Sequence, residues 1–143
     1  MDRSNPLGAS ERARILVIDD EPGILRAITR VLSRHHEIVA IEDAREALQL
    51  LLAGERFDLI LSDLMMPHMT GMDLHRALRE TLPAVADKLV FLCGGAFTDG
   101  ARAFLDAVPN ACINKPFDGS TLRRAVLEQL RSTRLERAVH ASA

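Results

Sequence analysis

Apolar residues along the chain come in short solid runs separated by longer amphipathic stretches. Arg14-Ile15-Leu16-Val17-Ile18 is the first run, rich in β-branched residues, and it ends in Asp19-Asp20-Glu21-Pro22-Gly23. A short apolar run bounded by turn residues reads as a strand buried on both faces. Ile24, Leu25, Ile28, Val31 and Leu32 then recur at helical spacing. Glu37–Ile41 reads as a second strand, and Asp43 as the N-cap of a helix from Ala44 to Ala53 that Gly54 ends. Leu59-Ile60-Leu61 is the central apolar run and closes on one carboxylate, Asp63, before Pro67 and Thr70-Gly71. A helix is predicted over 71–80, with Met72, Leu74, Ala77 and Leu78 as its apolar stripe, and Pro83 breaks the pattern. Leu89–Cys93 is a fourth strand, closed by Gly94-Gly95. Thr98 or Asp99 caps a helix to about Val108, stopped by Pro109-Asn110. Ala111–Asn114 is a short fifth strand running into Lys115-Pro116-Phe117. The last helix starts near Ser120, carries Leu122, Val126, Leu127 and Leu130, and thins out towards Val139.

Strand and helix thus alternate five times. That alternation predicts an α/β fold, a parallel sheet with helices on both faces. The expected architecture is a doubly wound (βα)5 sheet of strand order 2-1-3-4-5. In that order strands 1 and 3 are neighbours and the switch point lies between them. The carboxylates after strand 1 and at the end of strand 3 would converge there, and Lys115 would enter from strand 5.

Composition narrows the classes without choosing among them. The 143 residues suit one domain, expected over 13–131, with a disordered lead or linker at 1–12 and the end of the last helix and a tail at 132–143. A net charge of −2 gives no basic footprint for nucleic acid. With 5 Phe and no Trp or Tyr there is no stacking platform either. No run nears the roughly 20 apolar residues of a membrane helix, and no signal-peptide core is present, so a cytoplasmic location is expected. The 2 cysteines, Cys93 and Cys112, have no metal-ligand spacing; buried thiols are the expectation, and one disulfide the alternative.

Three carboxylates brought together raise one another's pKa values, and a hard divalent cation relieves that cost. Mg2+ suits oxygen ligands of this kind, with phosphate oxygens completing its shell. Asp63 would then be a carboxylate nucleophile giving an aspartyl phosphate, and Lys115 would pair with Asp63 at rest and with a phosphoryl oxygen afterwards. Taken singly, an Asp ending a strand is a turn residue, an Asp-Asp-Glu run is a solvated loop and a Lys before Pro is surface. Their joint position at strand carboxyl ends favours the chemical reading. Met65, Met66, Met69 and Met72 are read as loop and core packing. His35 and His36 are read as favouring the negative pole of a helix end, and His68 as an exposed loop residue.

Three stretches carry a resemblance: Ile15–Pro22 with its paired carboxylates, Asp58–Met72 around Asp63, and Asn114-Lys115-Pro116-Phe117. In this order and spacing they strongly resemble the receiver domain of two-component response regulators, over about Arg14 to Leu130. The resemblance implies a flavodoxin-like fold and phosphoryl transfer from a histidine kinase or its phosphotransfer domain. It implies that Asp63 is the phosphoacceptor, Asp20 a direct Mg2+ ligand and Asp19 a ligand through water, with the Met65 backbone carbonyl also on the metal. Lys115 would contact the phosphoryl group, and the Lys115-Pro116 bond would be cis.

Two positions depart from the family. A Ser or Thr usually ends strand 4, and here that position is Cys93, a weaker donor. An aromatic usually stands three before the Lys, and here it is Cys112. Both moving parts of the usual switch are therefore cysteine, so coupling to the face formed by the fourth helix, strand 5 and last helix is expected to be weakened or altered. A redox-responsive thiol pair is the sharper form of that idea. The expected function is a phosphoacceptor signalling domain, at most self-catalysing phosphoryl transfer and autodephosphorylation, with protein contact as output. Alternatives are a phosphate-independent scaffold, and a hydrolase through an aspartyl phosphate. The hydrolase is disfavoured because Met65 stands where its acid/base carboxylate would be. No effector domain is expected after Val139. The chain reads as a free-standing regulator or as the receiver module of a hybrid histidine kinase. The polar lead favours the second, as does a likeness of Phe91–Phe97 to receivers on such kinases. Arg123, Arg124 and Glu128 could serve a homodimer through the same face.

Overall fold

The computed structural model describes residues 12–94 and 98–142, with side chains to Thr133. The lead expected at 1–12 lies outside the described residues except for Arg12, as do Gly95, Ala96 and Phe97. Five parallel strands form one sheet: β1 (Arg14–Ile18), β2 (Glu37–Ile41), β3 (Leu59–Asp63), β4 (Leu89–Cys93) and β5 (Cys112–Asn114). Their order is β2-β1-β3-β4-β5, as expected from the alternation. The helices are α1 (Pro22–Leu32), α2 (Ala44–Leu52), α3 (Gly71–Thr81), α4 (Pro83–Ala86), α5 (Asp99–Ala107) and α6 (Gly119–Ser142). One correction concerns Pro83. It ends α3 but also opens the extra turn α4, because a proline is well placed in a first helical turn.

Alternation along the strands sorts the core into two layers. Leu16, Ile18, Ile60, Leu89, Phe91 and Cys93 face one side, against Ala47 and Leu51 of α2, Leu74 and Leu78 of α3, and Ala101 of α5. Ile15, Val17, Leu59, Leu61, Val90, Leu92 and Ile113 face the other, against Leu25, Ile28 and Leu32 of α1 and Leu122, Val126 and Leu130 of α6. β1, β3 and β4 are covered on both faces, which is why they read as unbroken apolar runs. No helix among the described residues is long and apolar enough to cross a membrane.

Local signals set where the helices begin. Asp43 accepts from Arg45 N–H and Thr98 accepts from Ala101 N–H, so both cap as predicted. Thr70 and Asp73 form a reciprocal capping box at the start of α3, a Thr-x-x-Asp signal that the sequence carries. Gly54 takes φ +99° beyond α2, a backbone conformation that favours glycine.

Candidate functional site

The strand order brings three carboxylates to the crevice between β1 and β3. Asp19 follows the last residue of β1, Asp20 follows it, and Asp63 is the last residue of β3. One oxygen from each lies within 4.8 Å of the others. Their environments differ: Asp19 is fully buried, Asp63 is 8% exposed and Asp20 is open to solvent. Asp19 is also the best held. Its Oδ1 accepts from Glu21 N–H at 3.0 Å and its Oδ2 from Lys115 Nζ at 2.9 Å.

Lys115 was expected to pair with Asp63. That ion pair is present, with Nζ 3.7 Å from Asp63 Oδ1, and Lys115 also hydrogen-bonds Asp19 more closely, at 2.9 Å. The fully buried carboxylate has the greater need of a counter-charge. Burial alone would lower the Lys115 pKa; the hydrogen bond to Asp19 and the charges of Asp63, Asp19 and Glu21 outweigh it and raise the value. The Lys115-Pro116 bond is cis, in keeping with the resemblance.

Asp63 is pushed up to about 6, first by burial, then by the charge of Asp19; Lys115 only partly offsets this, and Asp20 adds to the rise. Such a carboxylate lacks positive charge. The set offers hard oxygen donors, one of them exposed, which is the chemistry a Mg2+ site requires. The residues therefore fit the ion that the sequence called for.

The backbone around Asp63 is tightly packed. A Cβ on Gly71 would run into the Asp63 carbonyl oxygen and come 3.1 Å from Leu64 Cα. Gly71 N–H donates to Leu64 O at 2.9 Å, so the start of α3 lies directly against the end of β3. The sequence marked Gly71 only as turn chemistry. Met66 is buried, and Met69 and Met72 pack against the same core layer, while Met65 is 47% exposed. His68 is exposed, as expected. The reading of His36 as a helix-end cation is corrected: its Nδ1 accepts from Ala13 N–H at 3.1 Å, so that nitrogen carries no proton.

The other flank is built from β4 and β5. Cys93 ends β4 and its carbonyl accepts from Lys115 N–H at 2.6 Å. The expectation of two free buried thiols is corrected here. Cys93 and Cys112 form a disulfide, with Cα atoms 6.2 Å apart. The sequence left this bond as the alternative and could not choose it, because 19 positions separate the two residues. The register pairs Phe91 with Cys112 and Cys93 with Asn114. Both side chains therefore fall on one face of adjacent strands. Asn110, read as a helix stop, also ties this flank: its Nδ2 donates to Ala86 O and Leu89 O, leaving Oδ1 to accept from His75 Nε2–H. His75 packs edge-on against Phe104, which meets Phe91 the same way.

Clefts also lie away from the carboxylates. A cleft of about 400 Å³ lined by Leu51, Phe57, Leu82 and Val85 sits at the amino ends of β3 and β4, opposite the carboxylates. The acidic site lies at the switch point, outside the carboxyl ends of the strands, with Asp20 exposed there.

Comparison with known proteins agrees with this geometry. Residues 15–127 match the family described as response regulator receiver domain. The chain is 30% identical over 119 residues to the transcriptional regulatory protein GlrR of Escherichia coli, covering 82% of this chain and 26% of that protein. It is 33% identical over 124 residues to the sensor kinase CckA of Brucella abortus, covering 85% of this chain and 13% of that protein. Both relatives are much longer than this chain. Among solved structures, the response regulator receiver domain protein from Clostridium thermocellum superposes with a TM-score of 0.72 at 28% identity, covering 86% of this chain and 98% of that one. In sequence, topology and fold, the chain belongs to the response regulator receiver domain family of two-component signalling.

Proposed function

We propose that Asp63 accepts a phosphoryl group from a histidine kinase or its phosphotransfer domain, and that the chain signals this state by protein contact. The observation that carries the reading is the convergence of Asp19, Asp20 and Asp63 within 4.8 Å, with Lys115 reaching the same crevice from β5. An Asp63 carboxylate oxygen attacks phosphorus, the phosphorus–nitrogen bond of the donor phosphohistidine breaks, and the imidazole leaves with that electron pair. Asp19, Asp20, Asp63 and the Met65 carbonyl would hold Mg2+, which neutralises charge on the phosphoryl oxygens when bound. Lys115, held by Asp19, lies near enough to Asp63 to meet an oxygen of the transferred group.

The chain acts as a signalling domain in the cytoplasm, with no nucleic-acid or membrane contact of its own. Its output passes through the α5–β5–α6 face, to a downstream protein or a second copy of the chain. Both parents considered from the sequence, a free-standing regulator and a hybrid kinase, accommodate this module.

A second reading is a phosphate-independent scaffold. The Cys93–Cys112 bond favours it, because it ties together the two positions that move in the usual switch. An amide NMR spectrum with Mg2+, before and after beryllofluoride, separates the readings. Shifts running from Asp63 through Cys93 to Cys112 and α6 are expected, and an Asp63→Asn variant should show none. An unchanged spectrum would leave only the scaffold.

A further inference from the structure

We propose that Cys93 and Cys112 are a reversible dithiol–disulfide pair. They would exchange with glutathione-class thiols and disulfides, and their redox state would set how tightly the Asp63 pocket holds a phosphoryl group. β5 is the edge strand of the sheet and Cys112 is its first residue, half-buried; Cys93 is 2% exposed on the inner neighbour β4. An exchanging reagent therefore meets Cys112 first, and Cys93 is sheltered as the resolving sulfur. A Cα separation of 6.2 Å lies in the range disulfides span, so the sheet can hold the bond in its existing register.

The exchange balances without further reagents. The Cys112 sulfur attacks one sulfur of a small disulfide, forming a mixed disulfide and releasing one thiol. Cys93 then attacks the Cys112 sulfur, closing the protein bond and releasing the second thiol. Two electrons leave the protein, and its two thiol protons end on the released thiols. An excess of the small thiol reverses both steps.

The pair matters to the pocket because Cys93 belongs to both. Its carbonyl receives Lys115 N–H at 2.6 Å, and its neighbour Leu92 pairs in register with Asp63. Reduced, Cys93 carries an S–H donor at the strand end beside the site. Oxidised, it has no hydrogen to donate, and β4 is tied to β5. This coupling rests on the phosphoacceptor reading above; the redox pair does not.

The test equilibrates the full chain with reduced and oxidised glutathione at a series of ratios. Alkylation and mass measurement count the free thiols, and beryllofluoride is titrated with Mg2+ at each end of the series. Thiol content should follow the glutathione ratio reversibly, and the oxidised protein should bind beryllofluoride about threefold more weakly, as fits the loss of one weak hydrogen bond. A Cys112→Ser variant should still bind it, with an affinity that no longer depends on the ratio; Cys112→Val serves if that variant folds poorly. Two thiols that stay unreacted across the series would overturn the pair. Equal affinity at both ends would overturn the coupling. Absence of beryllofluoride binding in either state would overturn the phosphoacceptor reading, while a reversible thiol count would still support the pair.

Discussion

The two flanks of the site are built on opposite principles. At β1 and β3, three carboxylates crowd around one lysine, and the folded state holds charge that it does not fully neutralise. At β4 and β5, the contacts are apolar, aromatic and covalent, and they are complete without a ligand. The contrast separates what a site needs from what a scaffold needs. The acidic flank gives up stability, since burial and the charges of Asp19 and Asp20 disfavour the Asp63 carboxylate and Lys115 only partly offsets them. The sulfur flank supplies stability and holds Lys115 in place through the Cys93 carbonyl.

Reduction should have the largest effect on the balance. Closing a loop across 19 positions stabilises by about 3 kcal/mol, so dithiothreitol should lower the urea-unfolding free energy by about that amount. Cys112→Ser should lose the same stability and become indifferent to the reductant. A change under 1 kcal/mol, on the order of a surface substitution, would mean the bond contributes little.

Next comes Lys115→Met. It leaves the fully buried Asp19 without its counter-ion and should cost about 2–3 kcal/mol by urea unfolding. Added Mg2+ should recover part of this loss, and a loss that ignores Mg2+ would detach Lys115 from the acidic flank.

The pH dependence tests the same flank from its other side. The folded Asp63 titrates at about 6 against an ordinary 3.8, so between those values the folded state binds the extra proton. Stability from this group is therefore full below about pH 4 and is lost as pH rises through about 6, by roughly 2 kcal/mol in metal-free buffer. Asp63→Asn should remove that slope and be the more stable protein at pH 7. A metal-free stability that rises with pH in the wild type alone would reverse the assignment.

The smallest effect is expected at Thr70. Replacing it by alanine removes the capping box and should cost about 1 kcal/mol, with beryllofluoride binding retained. A loss of binding there would mean that the start of α3 positions Asp63 more directly than its packing suggests.

Much of this could be read in advance because each strand carries its own signal. Runs such as Leu16-Val17-Ile18 and Leu59-Ile60-Leu61 are apolar on both faces, and only a covered parallel strand needs that. The site followed from the same logic, since Asp19, Asp20, Asp63 and Lys115 all stand at strand carboxyl ends. α4 was hidden because Pro83 carries two opposite meanings, ending one helix and starting the next.

Sequence alone thus determined the five strands and their order in the sheet and which charged residues share the crevice, because periodicity and strand ends are local properties. Only the tertiary structure decided how those residues divide their partners. Lys115 pairs with Asp63 as expected but makes its closer contact to Asp19, because burial, which no local pattern encodes, sets the need for a counter-charge. Cys93 and Cys112 met because the β4–β5 register put two distant positions on one face at bonding reach. Gly71 leaves no room for a Cβ for a similar reason: the carbonyl it must clear belongs to Asp63, on another element.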